Sequence, residues 1–268
     1  MKIDKVNKIV TVRQSWLNDL TICPERARLG VVRPEFRVGS DATIIGTAMH
    51  YGIESVLGGS ASSYEEMLQA VTGKYDELAK EPHIVTNIEA DKIPDYLKAM
   101  STAFYEGILP EVTLGGEIEK YFKVPLSVDV DGYSVFIEGT MDYVEPSGLI
   151  WDWKTASKQY YIKDKQKSAI QPTVYTYAVM HERKDLEEYV GFRYGVMVRS
   201  DAPKHQIVDI TRTGEHHRWL QYFVRGAVAP CLATSTDSPW LMNDSSNLCS
   251  SKWCSYWSIC KGAFNLTD

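Results

Sequence analysis

The stretch "GTMDYVEPSGLIWDWKTAS", residues 139–157, decides how the rest of the chain is read. Apolar residues alternate on both sides of a Pro-Ser-Gly turn, which is the pattern of a β-hairpin. The polar residues are unusual for one. Asp142 falls in the first strand, and Asp152 and Lys154 in the second. Aspartate is a poor strand residue, and a buried carboxylate needs a partner or a metal. Asp152 and Lys154 are two residues apart, so they share one face of their strand. A carboxylate on each of two neighbouring strands, with an ammonium beside them, suits a hard divalent cation such as Mg²⁺ or Mn²⁺. It also suits phosphodiester hydrolysis, which needs a metal to polarise phosphate and a cation near the developing charge. The plainer alternative is a cross-strand salt bridge from Asp142 or Asp152 to Lys154.

The hairpin sits in an ordinary globular background. The chain has 268 residues, 44% hydrophobic and 24% charged, enough for one large domain or two small ones. A net charge of −6 does not advertise a nucleic-acid partner, although such binding depends on local patches. The N-terminus lacks an apolar core of signal-peptide length, and no window resembles a membrane span. The expectation is a soluble cytoplasmic protein, or one of the host cytoplasm if viral. Five cysteines are too few for a disulfide scaffold.

The opening third reads as mostly helical. Helices are expected in "SWLNDLTICPERARL" (15–29), "DATIIGTAMHYGIESVLGG" (41–59), "SYEEMLQAVTGKYDELAK" (63–80) and "DYLKAMSTAFYEGIL" (95–109). Strands follow in "EIEKYFKVPLSV" (117–128), "YSVFIEGTMDYVE" (133–145) and "GLIWDWKT" (148–155), with an Asp131-Gly132 hairpin turn. A helix in "SAIQPTVYTYAVMHER" (168–183) precedes strands in "EYVGFRYGVMVRS" (188–200) and "HQIVDITRT" (205–213). A last helix, "EHHRWLQYFVRGAVAPCLA" (215–233), leads to a cysteine-bearing tail. The class is α/β, a mixed sheet with flanking helices. The expected organisation is a single domain over 1–268: a helical part at 13–110, a core at 111–212, and a helix and tail at 213–268 that close on Cys23.

Gly139 and Asp142, then Asp152 and Lys154, then Gln171 and Tyr175 occur in an order that resembles the PD-(D/E)XK nuclease superfamily, and more closely its RecB-like exonuclease branch. Each single motif is weak; the ordered set is specific. That branch also carries a histidine in a helix before the sheet, matched by His50, and an acid on the first strand, for which Glu119 and Glu117 are the candidates. The resemblance implies a restriction-endonuclease-like core and a metal-dependent DNA exonuclease. It makes His50, Asp142, Asp152 and the Trp153 carbonyl metal ligands and Lys154 the catalytic cation. Gln171 and Tyr175 would position the lysine or the DNA; their spacing of four puts them on one helix face.

Cys249, Cys254 and Cys260 cluster in the tail, Cys23 stands alone near the other end, and Cys231 in "GAVAPCLA" reads as a core thiol. A trio plus one distant cysteine is a four-ligand set for an iron–sulfur cluster or a structural zinc. RecB-like nucleases with a [4Fe–4S] cluster, including CRISPR-associated and helicase-linked exonucleases, place one cysteine before the core and three after it. Ser15 to Pro24 also fits their S-x₇-C-P pattern. The chain departs from them in the wider gap between Cys249 and Cys254.

Candidate DNA contacts are Lys154, Lys158, Lys163, Lys165 and Lys167, with Tyr160 and Tyr161 between them, and Arg193 and Arg199 on one strand face. A solvated charged loop before a helix is the plainer reading of the lysines. Trp253, Tyr256 and Trp257 suit packing around the cysteines better than base stacking. The implied partners are DNA ends and no membrane, with a homo-oligomer or recombination or CRISPR proteins as further partners. A non-catalytic DNA-binding or assembly subunit with a nuclease-like fold is the alternative.

Overall fold

The structure, a computed structural model, describes residues 1–82, 88–168, 170–186, 190–245 and 247–264. The elements begin with β1 (Lys2–Asp4), β2 (Ile9–Arg13), α1 (Gln14–Ile22), α2 (Pro24–Val32), α3 (Asp41–Leu57), α4 (Tyr64–Leu78) and α5 (Ile93–Thr102). They continue with β3 (Glu117–Val130), β4 (Tyr133–Val144), β5 (Ile150–Ala156), α6 (Ile162–Ser168), α7 (Ile170–Glu182), β6 (Phe192–Val198), β7 (His205–Ile210) and α8 (Gly214–Thr234). Ala169, Glu188 and Tyr189, at the starts of an expected helix and strand, lie outside the described residues. Among the described residues no helix is long and apolar enough to cross a membrane.

The chain forms two compact units, each assembled from separate segments. One comprises residues 1–38, 121–139 and 213–268. Its β1 and β2 pair antiparallel, and β2 runs parallel to the first part of β4, with Val10 opposite Val135 and Val12 opposite Ile137. These four apolar residues are buried, as are Leu220, Val224 and Val228 along one face of α8. The other unit comprises residues 39–120 and 140–212. It holds a mixed sheet: the end of β4 antiparallel to β5, β5 parallel to β6, β6 antiparallel to β7. Helices pack on this sheet around a core that includes Ile45, Met49, Phe104, Trp151, Trp153 and Met197. The fold is therefore of the mixed α/β class.

The structure adds two strands, breaks one expected helix and decides one reading that the sequence left open. Two strands precede the helices; the short IVTV run of β2 is too brief to register against the charged residues around it. The helix expected across 15–29 is broken at Cys23, which is extended (φ −159°, ψ 116°) between α1 and α2. The cause is Pro24: proline lacks an N–H and pushes its predecessor out of the helical region. The lysine-rich stretch weighed as a loop instead forms α6 from Ile162. The Asp131-Gly132 turn is as expected, with φ of +53° and +76°, the left-handed pair that a two-residue hairpin requires.

α3 starts cleanly because the Ser40 hydroxyl accepts the Thr43 N–H. It crosses α4 at Gly52, where an added Cβ would stand 2.2 Å from Val71 Cγ2 and 3.4 Å from the Met67 carbonyl. Val71 is fully buried. Alanine would gain about 1 kcal/mol of helix propensity, but overpacking costs about 1–3 kcal/mol. Gly52→Ala is therefore expected to lower the urea midpoint. A midpoint equal to or above wild type would show that the crossing can open.

Candidate active site

α3, β3, β4, β5 and α7 bring the chemistry together within the second unit. One donor atom each from His50, Glu119 and Asp142 lies within 4.8 Å of the others. His50 Nε2 is 2.9 Å from the Trp153 carbonyl, and its Nδ1 is 3.7 Å from Asp142 Oδ2. The same Asp142 oxygen accepts the Trp153 N–H at 2.7 Å. The backbone of β5 thus orients both side chains.

Asp152 is fully buried. Its Oδ1 accepts Gln171 Nε2 at 2.7 Å, and its Oδ2 is ion-paired with Lys154. Gln171 also donates to the Tyr175 hydroxyl at 3.2 Å, and that hydroxyl donates to the Thr140 carbonyl at 2.7 Å. The spacing of four on α7 thus becomes a relay that holds Asp152 from behind. Burial pushes the Asp152 carboxyl up against the pull of Lys154, with Asp142 adding to the rise. Burial works against the Lys154 ammonium, but Asp152 and Asp142 outweigh it and raise its pKa.

Glu119 reaches this cluster through an uncommon backbone. Its φ is +47°, a left-handed conformation rare for a residue with a side chain. Such strain clusters at functional sites. Glu117 instead pairs with Lys120. Burial, then the charges of Asp142 and Glu54, push the Glu119 carboxyl up to about 7. Glu54, one turn after His50 on α3, is raised by burial and by Asp142, with His50 opposing. Sequence reasoning missed Glu54; its i+4 spacing from His50 was the available signal. Glu54, His50, Glu119, Trp153 and Lys154 line one open cleft. Crowded carboxylates with an imidazole form the hard donor set of a divalent cation, so these residues fit such an ion.

The four cysteines outside the core converge in the first unit. Cys23, Cys249, Cys254 and Cys260 line one cavity with Ile22, Leu29, Met242, Leu248, Tyr256 and Trp257. Arg26 and Lys261 also line it, and the Asn243 N–H points to Cys23 Sγ at 3.4 Å. Burial raises the Cys254 thiol and pushes Cys260 up to about 11. Cys231 is buried on α8, its thiol donating to the Ala227 carbonyl at 3.1 Å. Trp257 and Tyr256 belong to the cysteine cavity, and Trp253 is exposed.

The candidate DNA contacts divide. Lys158, Tyr161 and Lys163 are exposed, and Tyr160 is half-buried. Arg193 is engaged by Asp209 at 2.6 Å and lies over the Trp151 ring. Arg199 is partly buried, and among the described residues its Nε and Nη1 have no hydrogen-bond partner. Neither arginine is a free surface cation.

A crystal structure titled "Putative exonuclease", from Eubacterium rectale, is 13% identical, covering 93% of this chain and 92% of that one, with a TM-score of 0.57. At that identity the likeness shows the fold alone. A second crystal structure, of SSO0001, is 14% identical over 97% of this chain and 88% of that one; its TM-score of 0.44 is too low to carry an argument. No curated protein matches the sequence. The family model of the PD-(D/E)XK nuclease superfamily matches residues 12–261, nearly the whole chain. With the acidic hairpin, the lysine and the His/Glu/Asp group in one unit, the chain belongs to the PD-(D/E)XK nuclease superfamily.

Proposed function

We propose that this protein is a metal-dependent DNA exonuclease of the RecB-like type. The observation that carries the reading is the convergence of His50, Glu119 and Asp142 near the Asp152–Lys154 pair, with His50, Glu119 and Lys154 lining one cleft. His50 and Asp142, with Glu119, Asp152 and the Trp153 carbonyl, would hold Mg²⁺ or Mn²⁺. A divalent cation there supplies polarisation of the scissile phosphate and a lowered pKa for a bound water. The protein's own groups do the rest. Asp152 holds Lys154 so that its ammonium meets charge developing on the phosphate. Gln171 and Tyr175 keep Asp152 in place, and the Trp153 N–H and carbonyl fix Asp142 and His50.

The reading extends to a [4Fe–4S] cluster on Cys23, Cys249, Cys254 and Cys260. An apolar cavity lined by four thiols and flanked by Arg26 and Lys261 supports it, because the cations offset the negative charge of four thiolates. Zinc is the lesser alternative. Tetrahedral zinc, with sulfur at about 2.3 Å, would take the same four thiols.

The test is degradation of end-labelled single- and double-stranded DNA with Mg²⁺ or Mn²⁺, against EDTA. The expected result is metal-dependent release of nucleotides from ends, with closed circular DNA left intact. Cutting of closed circles would overturn the exonuclease assignment. Metal-independent binding without cleavage would favour the assembly-subunit reading.

A further inference from the structure

Beside the Asp152–Lys154 pair, two tyrosines hold a second lysine. Lys165 on α6 carries its ammonium 4.1 Å from the centre of the Tyr160 ring and 5.9 Å from that of Tyr194. The same Tyr194 ring lies 6.0 Å from Lys154 Nζ. One buried ring, opposite Asp152 in the β5–β6 register, therefore flanks both ammoniums.

The arrangement is built into the fold. Tyr160 meets Tyr194 edge-on at 5.6 Å. Its N–H donates to Gln206 Oε1 at 2.8 Å, and its carbonyl accepts Gln206 Nε2 at 3.1 Å, so β7 clamps the residue from both sides. Arg212 Nη2 donates to the Lys165 carbonyl at 3.3 Å. Lys163 and Lys167, its neighbours on α6, are exposed, whereas Lys165 is half-buried.

No carboxylate among the described residues forms an ion pair with Lys165, whereas Lys154 has Asp152. A partly buried ammonium without a counter-ion is costly. Tyrosine faces offset only part of that cost. Burial and the Lys154 charge both lower the Lys165 pKa, and Asp152 and Asp164 counter them. An ammonium held this way suits an anionic ligand, and the nuclease reading brings a polyanion to the neighbouring site.

We infer that Lys165 is a second phosphate-binding residue of this site, receiving a backbone phosphate next to the phosphodiester presented to Lys154. The inference rests on the nuclease reading. Lys154 acts where charge develops, and Lys165 sets the register of the strand. Tyr160 and Tyr194 hold the Lys165 ammonium against the ring that also flanks Lys154.

The experiment measures binding of a labelled oligonucleotide by anisotropy across a salt series, with Ca²⁺ replacing Mg²⁺, and cleavage in Mg²⁺. Lys165→Met should weaken binding about tenfold, uniformly across sequences. It should also reduce the slope of log Kobs against log salt by about 0.7 for single strands or 0.9 for duplex. Cleavage at limiting DNA, read as kcat/KM, should fall by about the same tenfold factor. Lys165→Arg should restore the slope. Tyr160→Leu, which keeps the charge and removes the ring beneath it, should weaken binding less and leave the slope unchanged; this variant also covers the case in which Lys165→Met does not fold. Wild type that binds and cleaves while Lys165→Met matches it in affinity and slope would overturn the inference alone. So would a kcat loss at unchanged affinity. Wild type that neither binds nor cleaves would sink the nuclease reading and this inference with it.

Discussion

Asp142→Asn and Asp152→Asn are each expected to lower cleavage by at least about 10²-fold, the scale of losing one electrostatic contact to a transition state, while keeping the fold. The two should fail for different reasons. Asp142 Oδ2 accepts the Trp153 N–H and sits beside His50, in the group of donors closest to one another. An amide oxygen can still accept that N–H, so the backbone should hold, but an amide is a far poorer ligand for a hard cation. Asp142→Asn should therefore lose Mn²⁺ binding by calorimetry together with activity. Asp152 is buried and shared between Gln171 and Lys154. Its amide would release Lys154, so activity should fall even where some metal still binds. Lys154→Met completes the comparison: cleavage should disappear while Mn²⁺ binding survives. Near wild-type cleavage by either asparagine variant would remove that residue from the metal hypothesis. Loss of Mn²⁺ binding in Lys154→Met would mark the lysine as structural.

Cys23→Ser is expected to damage the protein far more than Cys231→Ser. Of the four cysteines that line the cavity, Cys23 is the one from the N-terminal side, at the extended junction between α1 and α2. The loop from Cys23 to Cys249 is most of the chain. Closing it through a shared centre removes about 5 kcal/mol of unfolded-state entropy if treated as a cross-link. A hydroxyl is a poor substitute for thiolate on iron. The serine variant should lose its metal content and aggregate. Cys231→Ser loses only a buried thiol with one carbonyl partner and should keep the centre. Anaerobic purification with iron, sulfide and zinc analysis of wild type and both variants reads this directly. Brown wild type that bleaches on reduction is the expected outcome. A colourless wild type with stoichiometric zinc would replace the cluster by zinc and leave the cross-link intact. Full metal content in Cys23→Ser with loss in Cys231→Ser would mean that Cys231 is the fourth ligand.

Much of the framework was legible in the residues themselves, because local physics controls it. Alternation of apolar residues marked β4 and β5, and the Asp131-Gly132 pair marked the turn before them. These signals act over a few residues and survive tertiary packing. The same holds for Pro24, whose break between α1 and α2 was written in the chain and outvoted by apolar spacing. The order and types of His50, Asp142, Asp152, Lys154, Gln171 and Tyr175 were readable too. Their distances were not, because each stands on a different element or at a different depth. Only the tertiary structure turned Glu119 rather than Glu117 toward His50, through a left-handed backbone that strand periodicity does not encode. It alone added Glu54, whose raised pKa comes from burial and from Asp142, distant in sequence. It also separated Lys165 from its exposed lysine neighbours by placing the rings of Tyr160 and Tyr194 around it. Sequence determines which groups are available and which face of an element carries them. Which of them share a dielectric environment, and so shift one another's charge, is settled by contacts between residues far apart in the chain.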